Sequence, residues 1–526
     1  MNRTRLLGSI AIVLVAGLSV TGYVLWAYGQ GLAGFPLDDA WIHQTYARNL
    51  AETGQLAYLP GQPSAGSTSP AWSFLLSIGY MLGMDFRTWA YVLGGFSLAA
   101  TAWLAYRLFL RLPPLEQLSS QVSLPVAALL TGLFCAIEWH LVWAAASGME
   151  TIIFTALSLA LVEYFSSQVQ MRRLPEGPAS LQKEQAIVSA VGIGLLAGVL
   201  VLTRPEGLVL AGMVLLGLVV FPRPTDRSQL LPRLMAAGLS LLALAGVLAP
   251  YIAFNLRTSG AIWPNTFYAK QAEYLSNWPL HVRFWRVLSP TLVGAQVLLL
   301  PGFCYAVYLL VRRRAWSALL PLAWALAILS VYALRLPVNY QHGRYMMPII
   351  PWLLLYGTWG TFLILRPRSP NLVARVLGRG VPVAIALLAV LFWGRGALAY
   401  GDDVGVIEGE MMAMARWVDQ HTPPGTIIAV HDIGAIGYVT DRPLLDLAGL
   451  ITPEVIPIIT DAEKLADWML DRGAGYAVFF PDFSPTYEDL HEDVRLEQLH
   501  CTGYAWTQEA GIENMCAYRL AGGSRP

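Results

Sequence analysis

Apolar residues gather in long unbroken runs over the first 400 positions, such as LLGSIAIVLVAGLSVTGYVLWAY (6–28) and LMAAGLSLLALAGVLAPYIAF (234–254), with Arg, Gly and Pro collecting in the gaps. A helix needs ~20 apolar residues to cross a ~30 Å hydrocarbon core. The pattern predicts spans at 6–28, 88–110, 122–143, 150–168, 186–203, 207–221, 234–256, 290–311, 315–335, 345–366 and 381–398, about eleven by that criterion. One further stretch, SPAWSFLLSIGYMLG (69–83), is shorter and suits a helix lying in the membrane surface.

Charge decides where that stretch goes. If 69–83 does not cross, then Arg107 and Arg111, Arg172, Arg173 and Lys183, Arg223, Arg227 and Arg233, Arg312 to Arg314, and Arg366 to Arg379 share one side with the N-terminal MNRTR. If it crosses, every later loop inverts and the clusters face the wrong way. The expected topology is a multi-pass plasma-membrane protein with a cytoplasmic N-terminus and an extracytoplasmic C-terminus. The outer face then holds segment 29–87, the turns ASGMET (146–151) and TRPEG (203–207), loop 257–289, PVNYQHGR (337–344) and everything past 398.

Past position 400 the pattern changes. TIIAV and GYAVFF read as short strands bounded by Gly, Pro and Asp, whereas EGEMMAMARWVDQH (408–421) and DAEKLADWMLDRG (461–473) have helical spacing. The chain thus divides into a polytopic α-helical membrane part, 1–400, and a soluble extracytoplasmic α/β domain, 401–526. Composition agrees, with 56% hydrophobic and 13% charged residues and a mean hydropathy of +0.52. A net charge of zero gives no support for a nucleic-acid partner. The first apolar run lacks a small-x-small cleavage site and reads as an uncleaved anchor. Cys135 and Cys304 lie in apolar runs, while Cys501 and Cys516 lie in polar sequence and are expected to pair in an oxidising space.

Chemistry-bearing residues collect at the outer ends of the spans. Asp38 and Asp39 open FPLDDAWIHQTYARNL, where Ile42, Tyr46 and Leu50 form one stripe and Asp39 and His43 another. Two acids there suit a helix N-terminus. A carboxylate at an apolar boundary also becomes a better proton acceptor near neutral pH. Lys270, in NTFYAK, is the one lysine of the outer loops in the membrane part, and Tyr268 beside it suits an interfacial anchor. Arg344, in QHGRYMMP, has the fork that grips phosphate oxygens. Arg204 has Glu206 two residues on as a ready partner, and Glu150 opens a span. His43, His140, His342 and His431 are scattered, so no metal site is expected from transition-metal spacing, although Asp38 and Asp39 leave a divalent cation possible.

Taken in order, DDAWIHQTYARNL, GSTSPAWSFLL, ASGMETIIF, LTRPEG, PNTFYAK, GRYMMPIIP and DIGAIGYVTDRPLLDLAGL resemble the GT-C superfamily of polytopic glycosyltransferases that use polyprenyl-phosphate sugars. The resemblance is nearest to terminal arabinofuranosyltransferases and more distant to protein O-mannosyltransferases, and it covers about residues 30–450. It implies juxtamembrane helices after the first acidic motif and a single-sugar transfer from a polyprenyl-phosphate donor, with inversion, to an extracytoplasmic glycan, lipid or protein. Carried onto this chain, Asp38 becomes the base and Asp39 its partner or an acceptor-binding group, with the order of the two open. Lys270, Arg344 and Arg204 become donor-phosphate ligands, and His43, Glu150, Tyr268 and His342 line the substrate. The rival readings are a transporter or flippase of lipid-linked saccharides and a non-catalytic glycan-binding scaffold.

Overall fold

The computed structural model describes residues 3–112, 123–173, 179–222, 229–274, 278–365, 369 and 371–521. Of the basic residues used to assign the inner side, Arg223, Arg227, Arg366 and Arg368 lie outside the described residues. Helix α1 (Arg3–Gly29) leads into α2 (Asp38–Thr53), which ends at Gly54 in the left-handed region (φ 72°). A small hairpin, β1 (Ala57–Leu59) and β2 (Gln62–Pro63), then returns the chain to α3 (Pro70–Met81). At 12 residues α3 rises only ~18 Å and cannot cross a bilayer. It packs along α2, as a surface helix should.

The bundle continues with α4 (Phe86–Arg111), α5 (Leu124–Ile137), α6 (Trp139–Ala146), α7 (Thr151–Arg173), α8 (Ala179–Thr203), α9 (Gly207–Val220) and α10 (Leu230–Thr258). Helices α11 (Asn265–Glu273) and α12 (Leu280–Leu288) are short; α13 (Leu300–Arg312), α14 (Leu320–Arg335), the single turn α15 (Tyr340–Gly343) and α16 (Ile350–Ile364) follow. Among the described residues nine helical stretches are long and apolar enough to cross a membrane. The pair α5–α6, bent by 50°, makes a tenth. The expected span 122–143 is this bent pair, because Glu138 interrupts it and caps α6 by accepting from the Leu141 N–H at 3.0 Å. The expected eleventh, α9, is apolar but only 14 residues long. Helices α13 and α16 come close enough that a Cβ on Gly360 would collide with the Gly302 backbone, the small-residue contact that lets membrane helices approach.

The last span differs from its expected form. Helix α17 (Leu372–Val406) runs without a break through a π-helical turn (Ile407–Met412) into α18 (Ala413–His421). No Gly or Pro cluster stops it where its sequence turns polar at Asp402 and Asp403, so polarity marks where the rod leaves the apolar layer and not where the helix ends. Beyond it lies a five-stranded mixed sheet in the order β4-β3-β5-β7-β6. Strand β3 (Ile427–Val430) runs parallel to β4 (Leu444–Asp446) and β5 (Ala474–Phe479). Strands β6 (Leu496–Cys501) and β7 (Cys516–Leu520) complete the edge in antiparallel fashion. Helix α19 (Ile433–Val439) follows β3. Cys501 and Cys516 are joined in a disulfide. Buried Glu410, in the π-turn, accepts from the Met515 N–H at 3.0 Å and from Asn514 Nδ2 at 2.6 Å, tying the rod to the sheet.

Candidate active site

Three segments distant in sequence meet around Asp39. Its carboxylate is shared by Lys270 Nζ, at 3.5 Å, and by the Arg344 guanidinium. Lys270 also donates to the Tyr345 hydroxyl at 3.2 Å, and that hydroxyl lies 3.0 Å from the hydroxyl of Tyr340. Tyr332 stacks on Tyr345 with ring centres 4.9 Å apart. Burial opposes the charge on Asp39, but Lys270 and Arg344 outweigh it and hold the carboxyl well below its usual range. Burial likewise works against Lys270, and Asp39 keeps it protonated. Nε and Nη1 of Arg344 are buried and have no hydrogen-bond partner among the described residues. A guanidinium with two buried, unanswered donors favours an incoming anion.

The Gly- and Ser-rich segment 54–72 sets the lysine in place. Asn265, which opens α11, donates its N–H to the Ala65 carbonyl at 2.9 Å, and Thr266 donates to the Gly66 carbonyl at 2.6 Å. The segment is therefore a cradle for α11 more than a connector.

Asp38 makes contacts of another kind. Adjacent helical residues point ~100° apart, so Asp38 turns away from the cations toward the C-terminal sheet domain. Its two oxygens accept the Gly434 N–H at 2.6 Å and the Ala435 N–H at 2.8 Å, capping α19 from across the interface. Burial pushes its carboxyl up, to about 8, with the charge of Asp432 adding and the two amide bonds opposing. Arg48 donates to the Tyr438 carbonyl at 3.0 Å and Tyr58 to the Ile433 carbonyl at 2.5 Å, so α2 and its hairpin clasp α19 along its length. Gly434 is required for this fit, because a Cβ there would strike the Asp38 backbone and carboxylate. Gly434→Ala is expected to cost ~1–3 kcal/mol through overpacking, seen as a lower thermal midpoint and faster proteolysis of the C-terminal sheet domain.

The remaining expected site residues divide into three groups. His43 Nε2 lies 3.3 Å from Glu150, and Glu150 lies 3.8 Å from Arg204 Nε. Arg204 is engaged by Glu206 at 2.6 Å and by the Tyr332 hydroxyl at 3.0 Å, and its guanidinium sits 5.2 Å from the centre of the Tyr345 ring. Arg204 thus buttresses Tyr345 and is paired with Glu206, with Glu150 nearby. His342 is held elsewhere, 2.7 Å from Asp403 and edge-on to Trp139 and Trp143. Tyr268 is 39% exposed and packs on Phe267, as an interfacial anchor does. Asp38 and Asp39 engage different partners, the Gly434 and Ala435 amides and the Lys270 and Arg344 cations. Among the described residues no group of three or more His, Cys, Asp or Glu side chains could hold a metal ion.

Sequence reading missed the tyrosines and a second polar cluster. Tyr345 stood beside Arg344 in the motif, yet nothing in its spacing marks it as the ring on which Arg204 and Arg344 rest. In the other cluster, His431 lies 2.8 Å from Glu273 and 3.1 Å from Asp432, joining the C-terminal sheet domain to the end of α11. Burial disfavours the imidazolium, but Asp432 and Glu273 outweigh it and raise its pKa well above the ordinary value. The contribution to docking is therefore complete below about 6.5, persists through neutrality, and is lost as pH rises through the raised value. Hydrogen exchange, corrected for intrinsic rates, checks this. Protection in β3 and α11 should fall on alkaline titration, and His431→Phe should already be less protected at neutral pH and lose the alkaline fall.

Residues 402–518 match a family model described as a domain of unknown function (DUF8728). No curated protein matches the sequence. Among solved structures, the chain is similar to ArnT from Cupriavidus metallidurans in the apo state, with a TM-score of 0.60 and 16% identity over 98% of this chain and 99% of that one. It is also similar to that ArnT bound to undecaprenyl phosphate, with a TM-score of 0.60 and 15% identity over 96% and 97% of the two chains. The Archaeoglobus fulgidus oligosaccharyltransferase in its apo form gives a TM-score of 0.58 and 12% identity over 90% and 70%. At such identities the likeness speaks to fold, and it extends over nearly the whole chain. With up to ten candidate spans among the described residues, juxtamembrane helices after the first acidic motif and a small C-terminal sheet domain, the chain is a polytopic membrane protein of the GT-C fold.

Proposed function

We propose that the protein transfers a single sugar from a polyprenyl-phosphate-linked donor to an extracytoplasmic glycan, lipid or protein acceptor, with Asp39 as proton acceptor and Lys270 and Arg344 as ligands of the donor phosphate. The observation that carries this reading is the Asp39 carboxylate held between two cations, one of which keeps two buried donors unpartnered. Binding of undecaprenyl phosphate by the similar ArnT supports the choice of donor. In this reading the site end of the bundle faces outward, which the distribution of Arg supports.

The chemistry follows from the charges. The donor phosphate enters between Lys270 and Arg344 and draws them off Asp39, which regains basicity as it loses its partners. The acceptor hydroxyl gives its proton to Asp39 as its oxygen bonds to the anomeric carbon. The bond from that carbon to the phosphate oxygen breaks, and the electron pair leaves with the polyprenyl phosphate, stabilised by the two cations. One displacement inverts the anomeric centre. Asp38 is a positioning residue, holding α2 in register with the soluble domain.

The test is transfer from a panel of radiolabelled polyprenyl-phosphate monosaccharides by purified protein, with and without chelator. Transfer or slow hydrolysis of one donor, retained in chelator, is the expected result. Failure to bind or turn over any member, with the free polyprenyl phosphate also failing to bind, would overturn the reading.

A further inference from the structure

Helix α4 starts beside the site, where Phe86 packs on Trp41 and Tyr438, and ends ~39 Å away at Arg111 after 26 residues. At that far end a cavity of about 450 Å³ opens between α4, α7, α16 and the turn before α14. Arg111, Arg313 and Arg314 line it, with Ser166, Gln170 and Ser317 as further polar residues, and Val162, Leu355 and Trp352 are among its apolar walls. Arg111 shares Glu163 with Arg107 at 2.8 and 2.6 Å. The side chains of Arg313 and Arg314 have no partner among the described residues. Arg314 adopts a left-handed backbone (φ 55°), a conformation that costs a side-chain-bearing residue energy and here belongs to the turn before α14. The Trp352 indole N–H is buried and has no acceptor among the described residues.

We infer that this cavity is a binding site for an anionic glycerophospholipid of the leaflet opposite the Asp39 site. Its arginines take the headgroup phosphate, its apolar walls take a chain, and Trp352 offers a donor to an oxygen of the lipid. Basic pockets between membrane helices on the cytoplasmic side bind anionic headgroups for the same reason. A free phosphate would satisfy the arginines but leave the apolar walls and the indole unoccupied. The inference is independent of the glycosyl-transfer reading, since no residue of the Asp39 site takes part.

The experiment is native mass spectrometry of the full chain released from detergent, after exposure to phosphatidylglycerol, phosphatidylcholine or undecaprenyl phosphate. Retention of one phosphatidylglycerol in preference to phosphatidylcholine is expected, and millimolar inorganic phosphate should not displace it. Arg313→Gln with Arg314→Gln should weaken retention by about tenfold. A Trp352→Phe chain, with all three arginines intact, should retain less lipid than the native chain. Equal retention of phosphatidylcholine, preference for undecaprenyl phosphate, or unchanged retention by the double variant would each overturn the assignment.

Discussion

Asp39→Asn is expected to abolish transfer while leaving donor binding intact or tighter. A positioned base contributes ~10²–10⁴-fold to such a step, and the loss should fall in kcat at saturating donor. The amide cannot accept the acceptor's proton, but it also no longer holds Lys270 and Arg344, which both engage the carboxylate. Those cations are then free for the phosphate, so the affinity for undecaprenyl phosphate should rise or stay level. Opposite movements of turnover and binding separate a base from a merely structural acid, whose loss would weaken both. Asp38→Asn provides the contrast. It replaces an acceptor oxygen facing the Gly434 and Ala435 amides with a donor, so it should lower stability by ~1–3 kcal/mol before it touches chemistry.

Arg344→Lys is expected to raise the donor KM by about 10- to 100-fold, the worth of one or two charge-assisted hydrogen bonds, with a smaller change in kcat. Lysine preserves the charge and an ion pair with Asp39. It cannot present the Nε and Nη1 donors that lie buried without partners beside that pair. Titration with undecaprenyl phosphate should show the same weakening in Kd, and Lys270→Arg should be milder because a single ammonium is replaced by a larger cation. A variant with native donor affinity would remove Arg344 from the phosphate site and leave it a partner of Asp39 alone.

Much of this arrangement could be read from the chain. Apolar runs placed the spans, and the short length of 69–83 with the Arg distribution placed α3 on the surface. Lys270 stood out because lysine occurs only three times, at 183, 270 and 464. The different partners of Asp38 and Asp39 were not legible. Neighbours on one helix differ only in direction, and direction acquires meaning from α19, nearly 400 residues later in the chain. The same holds for His431, which looked isolated until folding set it against Glu273. Tyr345 escaped notice because a ring that supports cations leaves no periodic trace. The break at Glu138 and the unbroken rod from α17 into α18 reflect capping and helix continuity, which hydropathy averages away.

That rod has a mechanical consequence. A domain hung on a flexible tether would swing open and shut over the membrane at little cost, whereas this one continues a helix whose far end lies along the outside of the other spans, and it is also held to α2 and α11. A displacement of the domain as one body with the rod is therefore expected as a tilt of residues 372–421. Paired spin labels, one on the sheet and one at the far end of the rod, would then keep their mutual separation while both shift against α1.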